Sequence, residues 1–183
     1  MRVLGVDPGT RRFGWGVVDK VGTRLVHVAH GVIALGDGPL AERLAMLHER
    51  FTAVLALHRP AQASVEGMFF HRDAQAAAKL GHARGVALLV CAQGGLPVFE
   101  YAPARVKRTV AAYGRAEKSQ VAQMVRLLLA LESVPPSDAA DALALAITHV
   151  AAGPLSLAAL TAPRRRVRKN ALTALIAKAA ARK

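Results

Sequence analysis

The sequence predicts an α/β fold, a mixed five-stranded sheet flanked by helices. Three strand-like segments come first, separated by short turns that contain glycine, as in an antiparallel meander. Strand and helix patterns then alternate, which favours parallel pairing through helical crossovers. The 183 residues, of which 53% are hydrophobic, are enough to bury one complete core.

The five predicted strands are short apolar runs that end at turn residues. Pro8-Gly9-Thr10 breaks the first strand, and Val21-Gly22 forms the turn between the second and the third. The predicted strands are Arg2–Asp7, Phe13–Asp19, Leu25–Leu35, Ala63–Glu66 and Pro97–Tyr101.

Apolar residues at helical spacing predict the remaining elements. In the first helix, Leu40, Leu44, Leu47 and Phe51 recur every three or four residues. The later predicted helices are Asp73–Gln93, Ala104–Tyr113, Ala116–Leu131 and Asp138–Val150. The resulting order, β-β-β-α-β-α-β followed by helices, is that of the ribonuclease H-like fold.

Charge divides the chain near Gly153-Pro154, where we expect the compact domain to end. The chain has 25 Lys and Arg residues against 12 Asp and Glu, a net charge of +13. Residues 154–183 hold 8 of the basic residues and none of the acidic ones, so they contribute +8 and residues 1–153 contribute +5. We predict a ribonuclease H-like domain over residues 1–153 and a basic C-terminal tail over 154–183. The charge favours nucleic acid as the partner, with a tail that only aids solubility as the alternative.

The same composition predicts a cytoplasmic protein without a membrane span. No apolar run reaches the roughly 20 residues of a membrane-spanning helix, and the first residues predict a strand and not a signal peptide. The single cysteine, Cys91, excludes an internal disulfide and fits a reducing compartment. Its apolar helical surroundings indicate core packing.

Four carboxylates stand at the ends of predicted elements. Asp7 ends the first strand, Glu66 ends the fourth, and Asp138 and Asp141 open the last helix on one face of it. Carboxylate oxygens suit Mg²⁺ and Mn²⁺, and a pair of such ions can drive phosphodiester hydrolysis. In so basic a chain, this pattern predicts a metal-dependent nuclease.

Each carboxylate also has a purely structural explanation. Asp7 could accept hydrogen bonds from N–H groups of the turn that follows it, and Glu66 could be an ordinary surface residue. If Asp138 is the N-cap, Asp141 stands at the third helical position and the pair resembles a capping box. The residues alone leave these alternatives open.

Six separated motifs, in the same order along the chain, resemble the RuvC family of bacterial Holliday junction resolvases. They are Leu4-Gly5-Val6-Asp7-Pro8-Gly9-Thr10, Val65-Glu66 with the following Phe pair, Ala78-Lys79-Leu80-Gly81-His82-Ala83-Arg84-Gly85, Pro97-Val98-Phe99-Glu100-Tyr101, Ala116-Glu117-Lys118-Ser119-Gln120-Val121 and Asp138-Ala139-Ala140-Asp141-Ala142-Leu143-Ala144. The resemblance fades beyond about residue 153, so it leaves the tail unexplained.

This resemblance implies an endonuclease that resolves four-way DNA junctions by paired symmetric nicks in homologous recombination and repair. In the family, four acidic positions bind two divalent ions, and these fall here on Asp7, Glu66, Asp138 and Asp141. Mg²⁺ is the expected ion, for which Mn²⁺ should substitute. The resemblance also implies a homodimer, and the branch-migration complex RuvA-RuvB as a partner.

The helix Asp73–Gln93 is the candidate dimer interface. Its small residues Gly81, Ala83 and Gly85 would let another backbone approach closely, and packing of these residues against the sheet of the same chain is the alternative.

The resemblance also assigns DNA contacts to basic and aromatic side chains. Lys107 and Lys118 match positions that contact DNA near the cut, and Phe69 matches a base-stacking position better than its neighbour does. The segment His71-Arg72-Asp73 departs from the family pattern, but Arg72 keeps a positive charge there. The expected DNA-binding residues are Phe69, Phe70, Arg72, Arg105, Lys107, Arg108 and Lys118.

Three other functions compete with this hypothesis. Another ribonuclease H-like nuclease would act on different branched or hybrid nucleic acids. An actin-like ATPase or sugar kinase also opens with an Asp and a Gly-Thr loop, but it needs a second such domain. A non-catalytic basic module would bind DNA without metal.

The seven histidines show no metal-ligand spacing, and His149 is interpreted as a packing or supporting residue.

Overall fold

A computed structural model describes residues 1–67 and 74–161 of the chain, and gives the backbone alone for 74–77, 79 and 154–161. The elements are β1 Arg2–Asp7, β2 Arg12–Val21, β3 Arg24–Ala34, α1 Leu40–His58, β4 Gln62–Glu66, α2 Ala74–Gln93, β5 Val98–Tyr101, α3 Pro103–Ala111, α4 Lys118–Leu128 and α5 Ser137–Thr161. The predicted order of strands and helices is therefore confirmed. Most ends differ from the prediction by a few residues, but the last helix extends to Thr161 and not only to Val150.

The five strands form one mixed sheet in the order β3-β2-β1-β4-β5. β1 pairs antiparallel with β2 and parallel with β4, and β4 pairs parallel with β5. This arrangement confirms the predicted meander followed by crossover connections. It also places β1 at the centre of the sheet, with the strand ends that carry Asp7 and Glu66 side by side.

One face of the sheet packs against α1 and α2 to form the main hydrophobic core. Successive side chains of a strand point to opposite faces, and the alternate residues of β1, β2 and β4 on this face are apolar. The fully buried core side chains include Leu4, Val6, Phe13, Val17, Leu47, Phe51, Val65, Ala83 and Val90. This core supports the sheet on the face opposite to the one that carries the carboxylates.

The opposite face of the sheet is covered by α5, which approaches it closely because glycines line the contact. A Cβ atom at Gly5 would overlap the backbone carbonyl oxygen of Ala142, and one at Gly14 would overlap the carbonyl oxygen of Asp138. Only glycine permits this distance between helix and sheet. The first turn of α5 therefore lies directly over the end of β1.

The first turn of α5 does not support the capping-box explanation of its two acids. The helix begins at Ser137, and the N–H of Ala140 donates a 2.8 Å hydrogen bond to the carbonyl oxygen of Pro136. Asp138 thus lies within the helix and not at its N-cap. A capping box does occur in α4, where the N–H of Glu117 donates to Oε1 of Gln120 at 2.9 Å.

The helix α5 is interrupted at Gly153, whose backbone has φ 68° and ψ 169°. Backbone contacts group Met1–Gly153 as one unit, distinct from Pro154–Lys183. The roles predicted for the domain and the tail remain predictions. Among the residues that the structure describes, no helix is long and apolar enough to cross a membrane.

Candidate active site

Strand register brings Asp7 and Glu66 to the same edge and the same face of the sheet. Gly5 of β1 pairs with Ser64 of β4, and the two acids each stand two residues further along their parallel strands. Because side chains alternate along a strand, both carboxylates share the face on which Gly5 meets α5. Two sequence-distant acids thus become neighbours under the helix.

The first turn of α5 adds the other two carboxylates. Asp7 pairs across the strands with Gly14, and the backbone of Asp138 lies directly over Gly14. Asp141, three residues on, shares that face of the helix. The side chains of Asp138 and Asp141 are 28% and 27% exposed, so both reach water while standing close to the sheet.

Basic residues of α3 and α4 complete the site. Asp7, Glu66 and Asp141 line one cavity of about 170 Å³, and Lys107 and Lys118 line the same cavity. Its apolar wall is formed by Pro103, Val106, Val121 and Leu145. Three of the four predicted acids and the two lysines predicted to lie nearest the cut therefore share one cavity, which Asp138 does not line.

Two ion pairs engage the acids of α5. Nζ of Lys118 lies 3.0 Å from Oδ2 of Asp141, and Nε of Arg12 lies 2.6 Å from Oδ2 of Asp138. Both basic side chains are largely exposed, at 74% and 59%. Arg12 was missed in the sequence, where only its position five residues after Asp7 hinted at a place beside the site.

The electrostatics of the site centre on the buried carboxyl of Asp7. Its pKa is raised to about 7, first by burial and then by the neighbouring carboxylates of Asp141 and Glu66. Lys118 opposes this effect, while its own pKa is raised by its hydrogen bond to Asp141. A buried acid in such surroundings favours a proton or a bound cation.

The donor set fits a divalent metal ion of the Mg²⁺ class. All the candidate ligands are carboxylate oxygens, and a bound cation would stabilise the charged form of Asp7, whose pKa is raised by burial and by its acidic neighbours. In residues 1–67 and 74–161, no three His, Cys, Asp or Glu side chains already lie in an arrangement that holds one ion. Lys118 and Arg12 each contact one carboxylate oxygen, of Asp141 and of Asp138 respectively.

The other predicted DNA-binding residues lie around this cavity or outside the described residues. The guanidinium carbon of Arg105 lies 5.1 Å from the centre of the Tyr101 ring, where it forms a cation–π contact. Arg108 lies in the last turn of α3, and it does not line the cavity. The predicted contacts that lie outside the described residues are Phe69, Phe70 and Arg72.

A buried polar network lies further along α5. His149 is fully buried, with Nδ1 at 2.8 Å from the hydroxyl of Tyr101 and Nε2 at 2.7 Å from Oε1 of Gln62. Burial lowers the pKa of His149 to about 4, so its ring is neutral near pH 7. The interpretation of His149 as a packing residue agrees with this environment.

Comparison with known sequences and structures points to one family. The family profile described as "Crossover junction endodeoxyribonuclease RuvC" matches residues 3–149. A protein of that name from Sorangium cellulosum (strain So ce56) is 53% identical over 166 residues, which span 89% of this chain and 93% of the relative. One from Myxococcus xanthus (strain DK1622) is 54% identical over 88% of this chain and 86% of the relative.

Among solved structures, this fold matches "T. thermophilus RuvC in complex with Holliday junction substrate" with a TM-score of 0.77 and 40% identity. The match covers 82% of this chain and 93% of that one, and it confirms the ribonuclease H-like fold class. RuvC proteins are metal-dependent nucleases, in agreement with the carboxylate site. This chain belongs to the RuvC family of crossover junction endodeoxyribonucleases.

Proposed function

We propose that this protein resolves Holliday junctions by cutting two symmetry-related strands of a four-way DNA junction. The observation that carries the proposal is the meeting of four acids at one place, where the ends of β1 and β4 lie under the first turn of α5. The related structure that contains a Holliday junction supports the choice of substrate. Its place in the cell is then recombination and repair of DNA in the cytoplasm.

The four carboxylates are proposed to be the metal ligands. Asp7, Glu66, Asp138 and Asp141 would hold two divalent ions, Mg²⁺ or in its place Mn²⁺, and the other three acids all act electrostatically on Asp7. Such a pair of ions, when bound, activates the attacking water and stabilises the departing 3′ oxygen. The protein itself contributes carboxylates whose positions are fixed, because they lie on a rigid sheet and on a helix that packs closely against it.

Basic side chains are proposed to hold the DNA backbone over the carboxylates. Lys107 and Lys118 line the cavity with the acids, so a phosphate placed there meets positive charge on one side. Lys118 would exchange its contact with Asp141 for a phosphate oxygen as DNA arrives. Arg105 and Arg108 of the neighbouring α3 would contact phosphates further from the cut.

Three further DNA contacts are proposed from the sequence alone. Phe69 and Phe70 would stack on or between bases where the junction opens, and Arg72 would face the backbone. Contact with RuvA-RuvB is proposed from the family resemblance, and nucleic-acid binding by the basic tail, residues 154–183, is proposed from its charge alone.

A homodimer is proposed because a four-way junction presents two equivalent strands to be cut. On α2, Gly81, Gly85 and Leu89 recur every four residues and therefore form one stripe. A Cβ at either glycine would meet no atom of the described residues within 4 Å, and Leu89 is 51% exposed. Ala83, by contrast, is fully buried against the same chain.

The dimer is tested by light scattering on Leu89→Glu, with Leu57→Glu as a matched control. Leu57 is 75% exposed on α1 and lies outside the stripe. A shift to monomer in the first variant alone is expected. A monomeric wild-type protein at micromolar concentration would contradict the proposal.

The resolvase proposal is tested by incubating the protein with a mobile four-way junction, a linear duplex, and Mg²⁺ or Mn²⁺. We expect paired symmetric nicks in the junction alone. Asp7→Asn should keep the fold and junction binding but lose cleavage, because it keeps the shape of the side chain and removes its charge. Cleavage of RNA–DNA hybrids in preference to junctions would instead support a different ribonuclease H-like nuclease.

A further inference from the structure

A buried arginine of α2 lies behind the site and is not one of its proposed ligands or DNA contacts. The Arg84 side chain is only 7% exposed. Arginine is almost never buried without a paired role, because its guanidinium stays charged in proteins and is costly to remove from water. Its contacts therefore indicate what the fold requires from it.

Arg84 makes two contacts through its two terminal nitrogens. One terminal nitrogen donates a 2.5 Å hydrogen bond to the backbone carbonyl oxygen of Glu66, and the other lies 2.7 Å from Oε1 of Glu100. The Glu100 side chain is 55% exposed, and its carboxylate compensates the charge of the buried Arg84 guanidinium from the surface. The planar guanidinium thus joins α2 to the ends of β4 and β5 in one fixed geometry.

The backbone contact immobilises one particular peptide group. The carbonyl oxygen of Glu66 and the N–H of Gly67 belong to the same peptide plane. Arg84 binds the oxygen, and the N–H donates to the carbonyl oxygen of Tyr101 at 2.8 Å. With both polar atoms of the plane engaged, the backbone at Glu66 has little freedom to rotate, and the direction of its Cα–Cβ bond is set.

We propose that Arg84 is a positioning residue for the reaction. By fixing the peptide that follows Glu66, it aims the Glu66 carboxylate into the cavity that Asp7 and Asp141 share. This inference rests on the proposed function, because it assumes that Glu66 is a metal ligand. A group that orients a ligand in this way commonly changes metal affinity by about 10- to 100-fold when it is removed.

The test measures Mn²⁺ binding without DNA, by the loss of the free-ion signal in electron paramagnetic resonance. Arg84→Gln removes the double contact, and Arg84→Lys keeps the charge but cannot reproduce the planar pair of contacts. Glu100→Gln is the matched control, because it weakens the ion pair and leaves the guanidinium on Glu66. All assays are run well below the lowest melting temperature of the set.

We expect the Mn²⁺ dissociation constant to rise about tenfold in Arg84→Gln, by a smaller factor in Arg84→Lys, and by less than about twofold in Glu100→Gln. The Mn²⁺ concentration that gives half-maximal junction cleavage should rise by the same factors, so that added Mn²⁺ restores cleavage. Junction affinity in Ca²⁺ should stay within about twofold of wild type, because the DNA-binding lysines are untouched.

Three results would overturn the inference. Unchanged Mn²⁺ affinity in a folded Arg84→Gln would show that the contact does not position Glu66. Equal losses in Arg84→Gln and Glu100→Gln, or unfolding of both Arg84 variants, would reduce Arg84 to a stabilising ion pair. If the wild type binds Mn²⁺ but cuts no junction, the resolvase proposal fails while the Mn²⁺ measurement still decides the role of Arg84.

Discussion

Two polar clusters lie on the same face of the sheet, under two different parts of α5. The carboxylate cluster (Asp7, Glu66, Asp138 and Asp141) gathers at the start of α5, and the histidine cluster (Gln62, Tyr101 and His149) lies more than two turns further along. Both are built from sheet residues that face α5. They differ in how their polar groups are satisfied.

The histidine cluster is neutral and closed by its own hydrogen bonds. The Tyr101 hydroxyl donates to Nδ1 of His149, and Nε2–H of His149 donates to Oε1 of Gln62, which assigns the tautomer of the ring. In the carboxylate cluster, burial and then the neighbouring like charges raise the pKa of Asp7 to about 7. The histidine cluster stabilises the fold. The carboxylate cluster holds negative charges close together, and a bound cation would offset them.

The largest effect should come from separating α5 from the sheet, since both clusters depend on that contact. In Gly5→Ala, the added Cβ would overlap the backbone at Ala142, which cannot move without shifting the helix. We expect a loss of about 3 kcal/mol in unfolding free energy and a more than roughly 100-fold loss of cleavage. Urea denaturation and junction cleavage measure the two effects.

Gly38→Ala is the control for that variant, because the nearest atom to its added Cβ is a side-chain oxygen of Glu42 at 3.9 Å. It should behave like wild type. Equal stability of the Gly5 and Gly38 variants would mean that α5 is less tightly seated than the structure indicates.

The next effect concerns the carboxylate cluster itself. The folded protein raises the pKa of Asp7 from 3.8 to about 7, so its charged form opposes folding increasingly as the pH rises through that interval. Asp7→Asn should therefore stabilise the metal-free protein by about 2 kcal/mol at pH 8, and by much less at pH 4. Urea denaturation in a chelating buffer at both pH values measures this difference.

Asp37→Asn is the control for the Asp7 variant. The Asp37 side chain is 76% exposed and forms an ion pair with Arg11. It should show little stabilisation at either pH. A destabilised Asp7→Asn at pH 8 would mean that Asp7 is held by favourable contacts, and the contrast between the clusters would then be wrong.

A smaller effect is expected in the histidine cluster. Tyr101→Phe keeps the ring against Arg105 but leaves Nδ1 of His149 without its donor. We expect a loss of about 1–2 kcal/mol in stability and cleavage within about threefold of wild type. Thermal unfolding followed by circular dichroism, with cleavage assays on the same preparation, would detect either a larger catalytic loss or no loss of stability.

The smallest effect should follow from releasing one exposed ion pair of the carboxylate cluster. Arg12→Gln frees Oδ2 of Asp138 from a guanidinium 2.6 Å away. Because the pair is exposed, unfolding free energy should change by less than about 1 kcal/mol. Mn²⁺ should bind about twofold more tightly, because Asp138 no longer has to give up its contact with the Arg12 guanidinium when the ion binds. Weaker binding would assign Arg12 a supporting role instead.

Local patterns were enough to predict the sheet and the four acids. Asp7 and Glu66 could be found because each follows a short apolar run, and Asp138 and Asp141 because they stand together before a long apolar helix. Their approach to one another depends on β1 pairing with β4 and on the glycines under α5. Before the structure was known, only the family resemblance predicted that the four acids lie close together.

The residues that sequence reasoning missed act across long separations. Arg12 pairs with an acid 126 residues away, and no local pattern reports such a contact. Arg84 left a weak signal, because it falls in register with the buried Ala87 and Cys91 of the same helix, where a charged side chain is unexpected. A basic residue on an apolar helix face was thus the available clue.

The central position of β1 has a consequence for how the site can open. Its backbone amides are hydrogen-bonded on both sides, to β2 and to β4, whereas β3 and β5 form the edges of the sheet. Amide hydrogens of β1 should therefore exchange with solvent only on global unfolding, and those of the edge strands earlier. Asp7 thus lies on an interior strand, so that control of this enzyme by local unfolding would have to act on other elements, such as the helices that carry Asp138, Asp141 and the lysines.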